Sequence, residues 1–198
     1  MLSENFRKRD HIADSPEQAV HKLKQGNETY INSETNNADI SGQLRKNTAK
    51  DGQKPYAVIV SCSDSRVAPE YIFSAGIGDL FVIRTAGNIV HGYALGSIEF
   101  GVKYLGAKII VILGHSQCGA VSAAMSGEQF EGQIASVIDE IRFGIGGTTD
   151  VVEAERRNIA YACRKIAKSA IVTELLALNQ IAMLQAKYDL YTGKVEFF

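Results

Sequence analysis

Three almost continuous apolar runs constrain the fold of this chain most strongly. They cover residues 56–61, 80–84 and 108–113. Apolar runs of this length without polar alternation are typical of strands that are covered on both faces of a sheet. Helical patterns lie between the runs, at residues 69–75 and 94–105. The alternation of strand and helix predicts an α/β fold with a mainly parallel central sheet, right-handed crossovers and helices on its faces.

The N-terminal part of the chain carries a helix-start signal. Ser15 is a capping residue, Pro16 suits the first helical position, and Gln18 follows three residues after the serine. A polar stretch then covers residues 32–52. We interpret it as a loop or as a short helix that lies on another surface, for example on a second subunit.

The C-terminal part predicts a hairpin. Two apolar segments, residues 181–190 and 194–198, flank a short turn that contains glycine. No repeat or linker divides the chain. We therefore expect a single domain over residues 1–198, with a helical arm at 1–52 and an α/β core at 53–198.

Composition and charge exclude several classes of protein. The 198 residues are enough for one domain with a substantial core. The formal net charge of −1 gives no reason to expect a nucleic-acid partner. No window approaches the roughly 20 apolar residues of a membrane span. Residues 1–14 are polar and lack the apolar stretch of a signal peptide, so we expect a cytoplasmic protein without a membrane association.

Three side chains of the kind that bind metals follow the predicted strands. Cys62 comes directly after the first strand, and His115 and Cys118 come after the third. Functional residues of open α/β sheets collect at the carboxyl ends of strands, so these side chains should meet at one edge. Two thiols and one imidazole are zinc ligands, and a set of three leaves the fourth tetrahedral position open. An open position is typical of catalytic zinc rather than structural zinc.

Other interpretations of the cysteines stay open on residue types alone. A cysteine after a strand is often a small core residue, and two thiols can form a redox pair, although a redox pair more often has the Cys-x-x-Cys spacing. The remaining cysteine, Cys163, lies in a helical pattern, where we interpret it as a buried apolar residue. Zinc binding is the interpretation that the combined motifs favour.

An acid and a base accompany the first cysteine. Asp64 and Arg66 lie two and four residues after Cys62. A metal with an open position beside an oriented carboxylate is suited to activating water. This pair therefore favours a catalytic role for the predicted metal site over a structural one.

These motifs together resemble those of the β-class carbonic anhydrases. The segment from Cys62 to Arg66, combined with the segment from His115 to Gly119, is similar to the family's paired zinc motif. The resemblance extends over most of the chain from residue 56 onward, and three further segments carry it: residues 81–88, 97–100 and 189–195.

The resemblance implies a site and a reaction. Zinc would be held by Cys62, His115 and Cys118, and zinc-bound hydroxide would hydrate carbon dioxide reversibly to bicarbonate and a proton. Asp64 would accept a hydrogen bond from the hydroxide, and Arg66 would hold Asp64 in place and keep it ionised. In some members the matching carboxylate becomes the fourth ligand and closes the site, so Asp64 is also a possible fourth ligand.

The resemblance also implies partners and a substrate pocket. It predicts a homodimer, or a tetramer built from dimers, with N-terminal helices that reach over the partner. Gln53 matches a glutamine of the substrate pocket at the dimer interface. Carbon dioxide would be held loosely by side chains such as Phe81 and by the backbone near Gly119.

The chain also departs from the family, and two other functions stay open. Some members bind inhibitory bicarbonate through a Trp, an Arg and a Tyr. Arg84 matches the arginine, but Ile59 stands at the Trp position, so we predict that this regulatory site is absent or altered. One alternative is a hydrolase of carbon disulfide or carbonyl sulfide on the same scaffold. The other is a non-catalytic zinc or redox sensor, which would not need the Asp64–Arg66 pair.

Overall fold

A computed structural model describes residues 13–36 and 38–198 of the chain. The predictions made for residues 1–12, which include the start of the helical arm and the interpretation of the extreme N-terminus, lie outside the described residues. Within the described part, the α-helices are α1 Pro16–Asn32, α2 Gly42–Asp51, α3 Pro69–Ile72, α4 Gly92–Lys103, α5 Gly119–Met125, α6 Gly132–Ile145, α7 Val151–Ile166 and α8 Ala170–Ala177. The strands there are β1 Ala57–Cys62, β2 Leu80–Thr85, β3 Ile109–His115, β4 Ala182–Tyr188 and β5 Val195–Phe197.

The strands form one mainly parallel sheet, as the sequence predicts. Their order among the described residues is β2-β1-β3-β4-β5. The first four strands are parallel to one another, and β5 pairs antiparallel with β4 as the predicted C-terminal hairpin. The three apolar runs form β1, β2 and β3, and each bound lies within two residues of the predicted one. This register places the ends of β1 and β3 side by side.

Alternate residues of β1 bury against opposite layers of helices. Ile59 faces the layer that contains Leu23 of α1 and Phe73, which follows α3. Val58 and Val60 face the other layer, which contains Ile98 of α4, Ile159 of α7 and Val172 of α8. Every residue of β1 and β3 is buried, because both strands lie inside the sheet and are covered on both faces.

The N-terminal helices are placed by their caps. Ser15 caps α1 as predicted, since its Oγ accepts a hydrogen bond of 3.3 Å from the backbone N of Gln18. The polar stretch contains a short helix, α2, which Ser41 caps through the backbone N of Leu44. Helix α1 packs against the sheet of its own chain. A reach of these helices over a partner subunit stays a prediction.

Helix α6 has no counterpart in the sequence analysis, which assigned no element to this part of the chain. Its buried face consists of Ile138, Ile141 and Ile145. These side chains form a hydrophobic cluster with Cys62 and Cys118. The helix therefore forms an apolar wall behind the predicted metal ligands.

None of the helices in the described residues is long and apolar enough to cross a membrane.

The crossing of α1 with the segment after α3 depends on a glycine. A Cβ at Gly26 would lie 2.0 Å from the backbone O of Phe73 and 2.7 Å from its carbonyl carbon. Both atoms belong to the main chain, so relief of this overlap needs a shift of the backbone and not of a flexible side chain. We expect Gly26→Ala to lower the free energy of unfolding by about 3 kcal/mol, as overpacking of a buried contact does. Urea unfolding followed by circular dichroism measures this change.

The matched control for that variant is Gly96→Ala in α4. No atom lies within 4 Å of a Cβ at Gly96. Alanine there should leave stability unchanged or raise it by about 0.5–1 kcal/mol, because alanine has the higher helix propensity. Equal stability of the two variants would contradict the close crossing at Gly26.

Candidate metal centre

The structure brings the three predicted metal ligands together at the carboxyl edge of the sheet. Cys62 is the last residue of β1, His115 is the last residue of β3, and Cys118 stands directly before α5. The two Sγ atoms and a ring nitrogen of His115 all lie within 4.8 Å of one another, and all three residues are buried. Gln117, which lies directly before Cys118, has a φ of 55° and turns the chain between His115 and Cys118.

The orientation of the His115 ring fits a metal ligand. Its Nδ1 lies 2.9 Å from the carbonyl O of Ser116. Since a carbonyl only accepts, Nδ1 carries the proton and Nε2 keeps its lone pair. Nε2 is buried and has no hydrogen-bond partner among the residues that the structure describes. A buried unpaired nitrogen is costly, and a metal ion would satisfy this atom.

Backbone donors prepare the Cys62 sulfur for negative charge. Its Sγ accepts hydrogen bonds from the backbone N of Gly87, at 3.3 Å, and of Asp64, at 3.4 Å. The hydrogen bond from the Cys118 thiol lowers the pKa of Cys62 to about 4, although burial opposes this change. The same hydrogen bond, together with burial, raises the pKa of Cys118. The two thiols thus share one proton, which a bound cation would displace.

His115 responds to the same negative charge. Burial disfavours its protonated form, but the negative charge of the nearby Cys62 sulfur outweighs burial and raises the pKa of His115. The group therefore attracts positive charge, and a soft divalent metal ion matches its two sulfur donors and one imidazole nitrogen.

Asp64 and Arg66 form a bidentate ion pair beside the ligands. The Nε of Arg66 donates to Oδ1 of Asp64 at 2.9 Å, and one terminal nitrogen donates to Oδ2 at 2.7 Å. The hydrogen bonds and charge of Arg66 hold the pKa of Asp64 well below its usual range, against the effect of burial. The Oδ2 of Asp64 lies 3.9 Å from Nε2 of His115. An ionised, oriented carboxylate therefore stands directly beside the ligand set.

Arg84 braces the loop that carries this carboxylate. Its Nε donates to the carbonyl O of Cys62 at 3.1 Å, and a terminal nitrogen donates to the carbonyl O of Asp64 at 2.8 Å.

Ile59 is fully buried in β1. Loss of the regulatory bicarbonate site stays a prediction.

Of the three predicted pocket residues, the structure brings one close to the metal ligands. Gly119 is exposed next to Cys118, and a Cβ on it would face open space. Phe81 lies four residues before the end of β2, about 13 Å along the strand from the ligand edge, and packs against Phe100. Gln53 precedes β1 and so lies toward the opposite end of that strand. Pocket roles for Gln53 and Phe81 stay predictions.

Polar residues that the sequence motifs did not include lie behind the ligand loops. Glu155 and Asn158 lie on α7, and Lys187 lies on β4. Both helix residues are buried. Glu155 contacts the backbone N of Cys118, and Asn158 contacts the backbone O of Gly87. Two polar residues one turn apart on the buried face of a helix were the available signal.

The family model and the similar known proteins all point to one family. The family model described as "Carbonic anhydrase" matches residues 57–195. Carbonic anhydrase 2 of Mycobacterium tuberculosis is 36% identical over 190 residues, which cover 91% of this chain and 91% of that protein. The carbonic anhydrase of Mycolicibacterium smegmatis is 33% identical, with 92% of this chain and 93% of that protein covered.

Solved structures share the fold. A tetrameric β-carbonic anhydrase of Sordaria macrospora superposes with a TM-score of 0.71 at 24% identity, covering 78% of this chain and 85% of that chain. The Coccomyxa β-carbonic anhydrase, solved in complex with acetazolamide, superposes with a TM-score of 0.66 at 26% identity. That match covers 81% of this chain and 86% of the Coccomyxa chain.

Proposed function

The chain belongs to the β-class carbonic anhydrase family, whose members are carbonate dehydratases, and we propose that it hydrates carbon dioxide reversibly to bicarbonate and a proton with zinc held by Cys62, His115 and Cys118. One observation carries the proposal. Three buried metal-binding side chains converge at the sheet edge, with an ionised carboxylate beside them.

The donor set supports zinc as the metal. Thiolate and imidazole together suit zinc, and three protein ligands leave one position for water or substrate. Zinc bound there would supply a hydroxide nucleophile near neutral pH. The unpaired Nε2 of His115 and the shared thiol proton of the cysteines agree with this assignment.

Asp64 is the residue that we propose to orient the nucleophile. Its Oδ2 is the carboxylate oxygen 3.9 Å from Nε2 of His115, and it would accept a hydrogen bond from a nucleophile held beside that nitrogen. Arg66 holds both carboxylate oxygens and keeps them charged. The bidentate pair supports an open site, because Asp64 has to leave Arg66 before it can act as a fourth ligand.

A small apolar substrate needs an unobstructed approach. The exposed Gly119 leaves open space beside Cys118, and we propose that carbon dioxide enters along its backbone. Carbon dioxide has no charge for the site to bind, so a loose apolar surface is sufficient.

We propose that a second copy of the chain completes the pocket. Strand β2 is an edge strand, and its side chains Phe81, Val82 and Ile83 are only half-buried. A partner covering this edge would bury them and could bring Gln53 and Phe81 of one subunit toward the metal centre of the other. The Sordaria relative is tetrameric, which supports a homodimer or a tetramer here.

The test is stopped-flow hydration of carbon dioxide from about pH 6.5 to about 9 on protein whose zinc content is measured in the same sample. We expect one zinc per chain and activity that rises with pH. Because Arg66 lowers the pKa of Asp64, this carboxylate is ionised throughout the range, and a single-proton rise reports the nucleophile. A rise steeper than one proton would indicate that Asp64 closes the site at the lower pH.

The same assay separates the alternatives. No hydration at any pH by fully zinc-loaded protein would contradict the proposal. Carbon disulfide and carbonyl sulfide would then be the substrates to test. Inactivity toward these as well would favour a zinc or redox sensor, although the intact Asp64–Arg66 pair argues against that role.

A further inference from the structure

Helix α7 carries two polar side chains on the face that it buries. Glu155 is 4% exposed and Asn158 is 2% exposed. Ala154 and Ile159, on the same helix, are fully buried and apolar. Buried polar groups destabilise a protein unless they are paired, so the hydrogen-bond partners of Glu155 and Asn158 indicate the role of these two side chains.

The hydrogen-bond partner of Asn158 also contacts Cys62, the first cysteine ligand. The Nδ2 of Asn158 donates to the carbonyl O of Gly87 at 2.8 Å. The backbone N of the same glycine donates to the Sγ of Cys62 at 3.3 Å. Gly87 has a φ of 65°, and a Cβ there would lie 2.5 Å from Ile141. Asn158 therefore holds the peptide that hydrogen-bonds one sulfur.

Glu155 contacts the backbone of Cys118, the second cysteine ligand, and forms an ion pair. Its Oε1 accepts a hydrogen bond of 3.4 Å from the backbone N of Cys118. Its Oε2 lies 2.5 Å from the Nζ of Lys187, whose side chain is 11% exposed. Lys187 pairs with Gly114 in the sheet, one residue before His115. The ion pair thus lies directly behind the ligand set.

A glycine in β3 allows α7 to come this close. A Cβ at Gly114 would lie 2.5 Å from the side chain of Ile159. Ile159 stands one residue after Asn158, so the close contact seats the helix where both polar side chains reach the ligand loops.

We propose that Glu155 and Asn158 are positioning residues that fix the two cysteine ligands from a single helix, with Lys187 balancing the charge of Glu155. With a metal bound, two thiolates would already place negative charge at the centre, and a further unpaired carboxylate beside them would add repulsion between like charges. The buried lysine cancels that charge while the carboxylate keeps its contact with Cys118. This inference rests on the metal site of the proposed function, but it concerns metal retention and not turnover.

Two double variants isolate the hydrogen bond to Cys118. E155Q/K187M keeps an acceptor at position 155, and E155L/K187M removes it, while neither leaves a buried charge. We expect E155L/K187M to release zinc to a chelator about tenfold faster than the wild type, as loss of an outer-shell partner does. E155Q/K187M should stay within about threefold of the wild type. A purely structural role of the ion pair would make the two variants alike.

Asn158→Ala tests the other cysteine. It should also release zinc about tenfold faster and should alter the thiolate-to-cobalt absorption of the cobalt-substituted protein, since Cys62 loses its fixed donor. Glu153→Gln is the matched control, because Glu153 lies on the same helix in an exposed pair with Arg157. Its zinc release should equal that of the wild type.

A wild-type release rate and cobalt spectrum in either E155L/K187M or Asn158→Ala would overturn the inference. Equal acceleration in E155L/K187M and E155Q/K187M would overturn it as well, because the effect would not follow the hydrogen bond. Zinc release is followed without substrate, so these outcomes are separate from the carbon dioxide assay that tests the proposed function.

Discussion

Cys118→Ser is expected to lose its zinc and with it all hydration activity above background. The hydroxyl is a hard, protonated group where the site needs a soft thiolate. Removing one of three ligands should cost about a third of the binding free energy of such a site, or about 4 kcal/mol. That loss corresponds to about a thousandfold weaker zinc binding. Chelator competition with zinc quantification measures it, and stopped-flow kinetics measures the activity.

Cys163→Ser is the control for that variant. Cys163 is a free, half-buried thiol on α7 that packs against the apolar cluster around Ile159 and does not belong to the metal-binding group. It should retain one zinc per chain and the activity of the wild type. Wild-type zinc affinity in Cys118→Ser would contradict the assignment of Cys118 as a ligand.

Asp64→Asn is expected to keep its zinc and to lose turnover by about a hundredfold to a thousandfold, or about 3–4 kcal/mol of transition-state stabilisation. The amide has nearly the shape of the carboxylate, but it carries no charge and presents only one oxygen. Arg66 would then pair with one acceptor instead of two. The kcat for hydration and the zinc content of the same sample separate lost turnover from lost metal.

Asp139→Asn is the comparison for that result. Asp139 also pairs with an arginine, Arg142, but its side chain is 69% exposed and the pair lies on the surface of α6. The exchange there should leave the kcat unchanged, because exposed ion pairs contribute little. Full activity in Asp64→Asn, with zinc bound, would contradict the orienting role of Asp64.

Local sequence signals were sufficient for most elements. The apolar runs predicted β1, β2 and β3 within two residues. β1 and β3 are covered on both faces, as such runs indicate, whereas β2 is a half-buried edge strand of the chain as described. Ser15 predicted the start of α1, because a cap depends on neighbours three residues away. No secondary structure was predicted for residues 132–145. This segment forms α6, whose apolar face packs against Cys62 and Cys118.

The candidate site was predictable at the level of residue types and strand ends. Cys62, His115 and Cys118 follow neighbouring parallel strands, and such ends share one edge. The orientation of those ligands was not predictable. The tautomer of His115 depends on its contact with a backbone carbonyl. The position of Asp64 depends on its hydrogen bonds from Arg66, and only the tertiary structure shows both.

The sequence alone thus predicted a parallel sheet, the edge at which the candidate metal ligands meet and the residues that form this group, because these predictions depend on periodicity and short motifs. Only the tertiary structure shows that Glu155, Asn158 and Lys187 lie behind the two cysteines. Each of these residues lies more than thirty positions along the chain from the residue that it contacts. The close approach of α7 to β3 at Gly114 brings Glu155 and Asn158 there, and strand pairing brings Lys187 of β4. Contacts of that range have no local signature in the sequence.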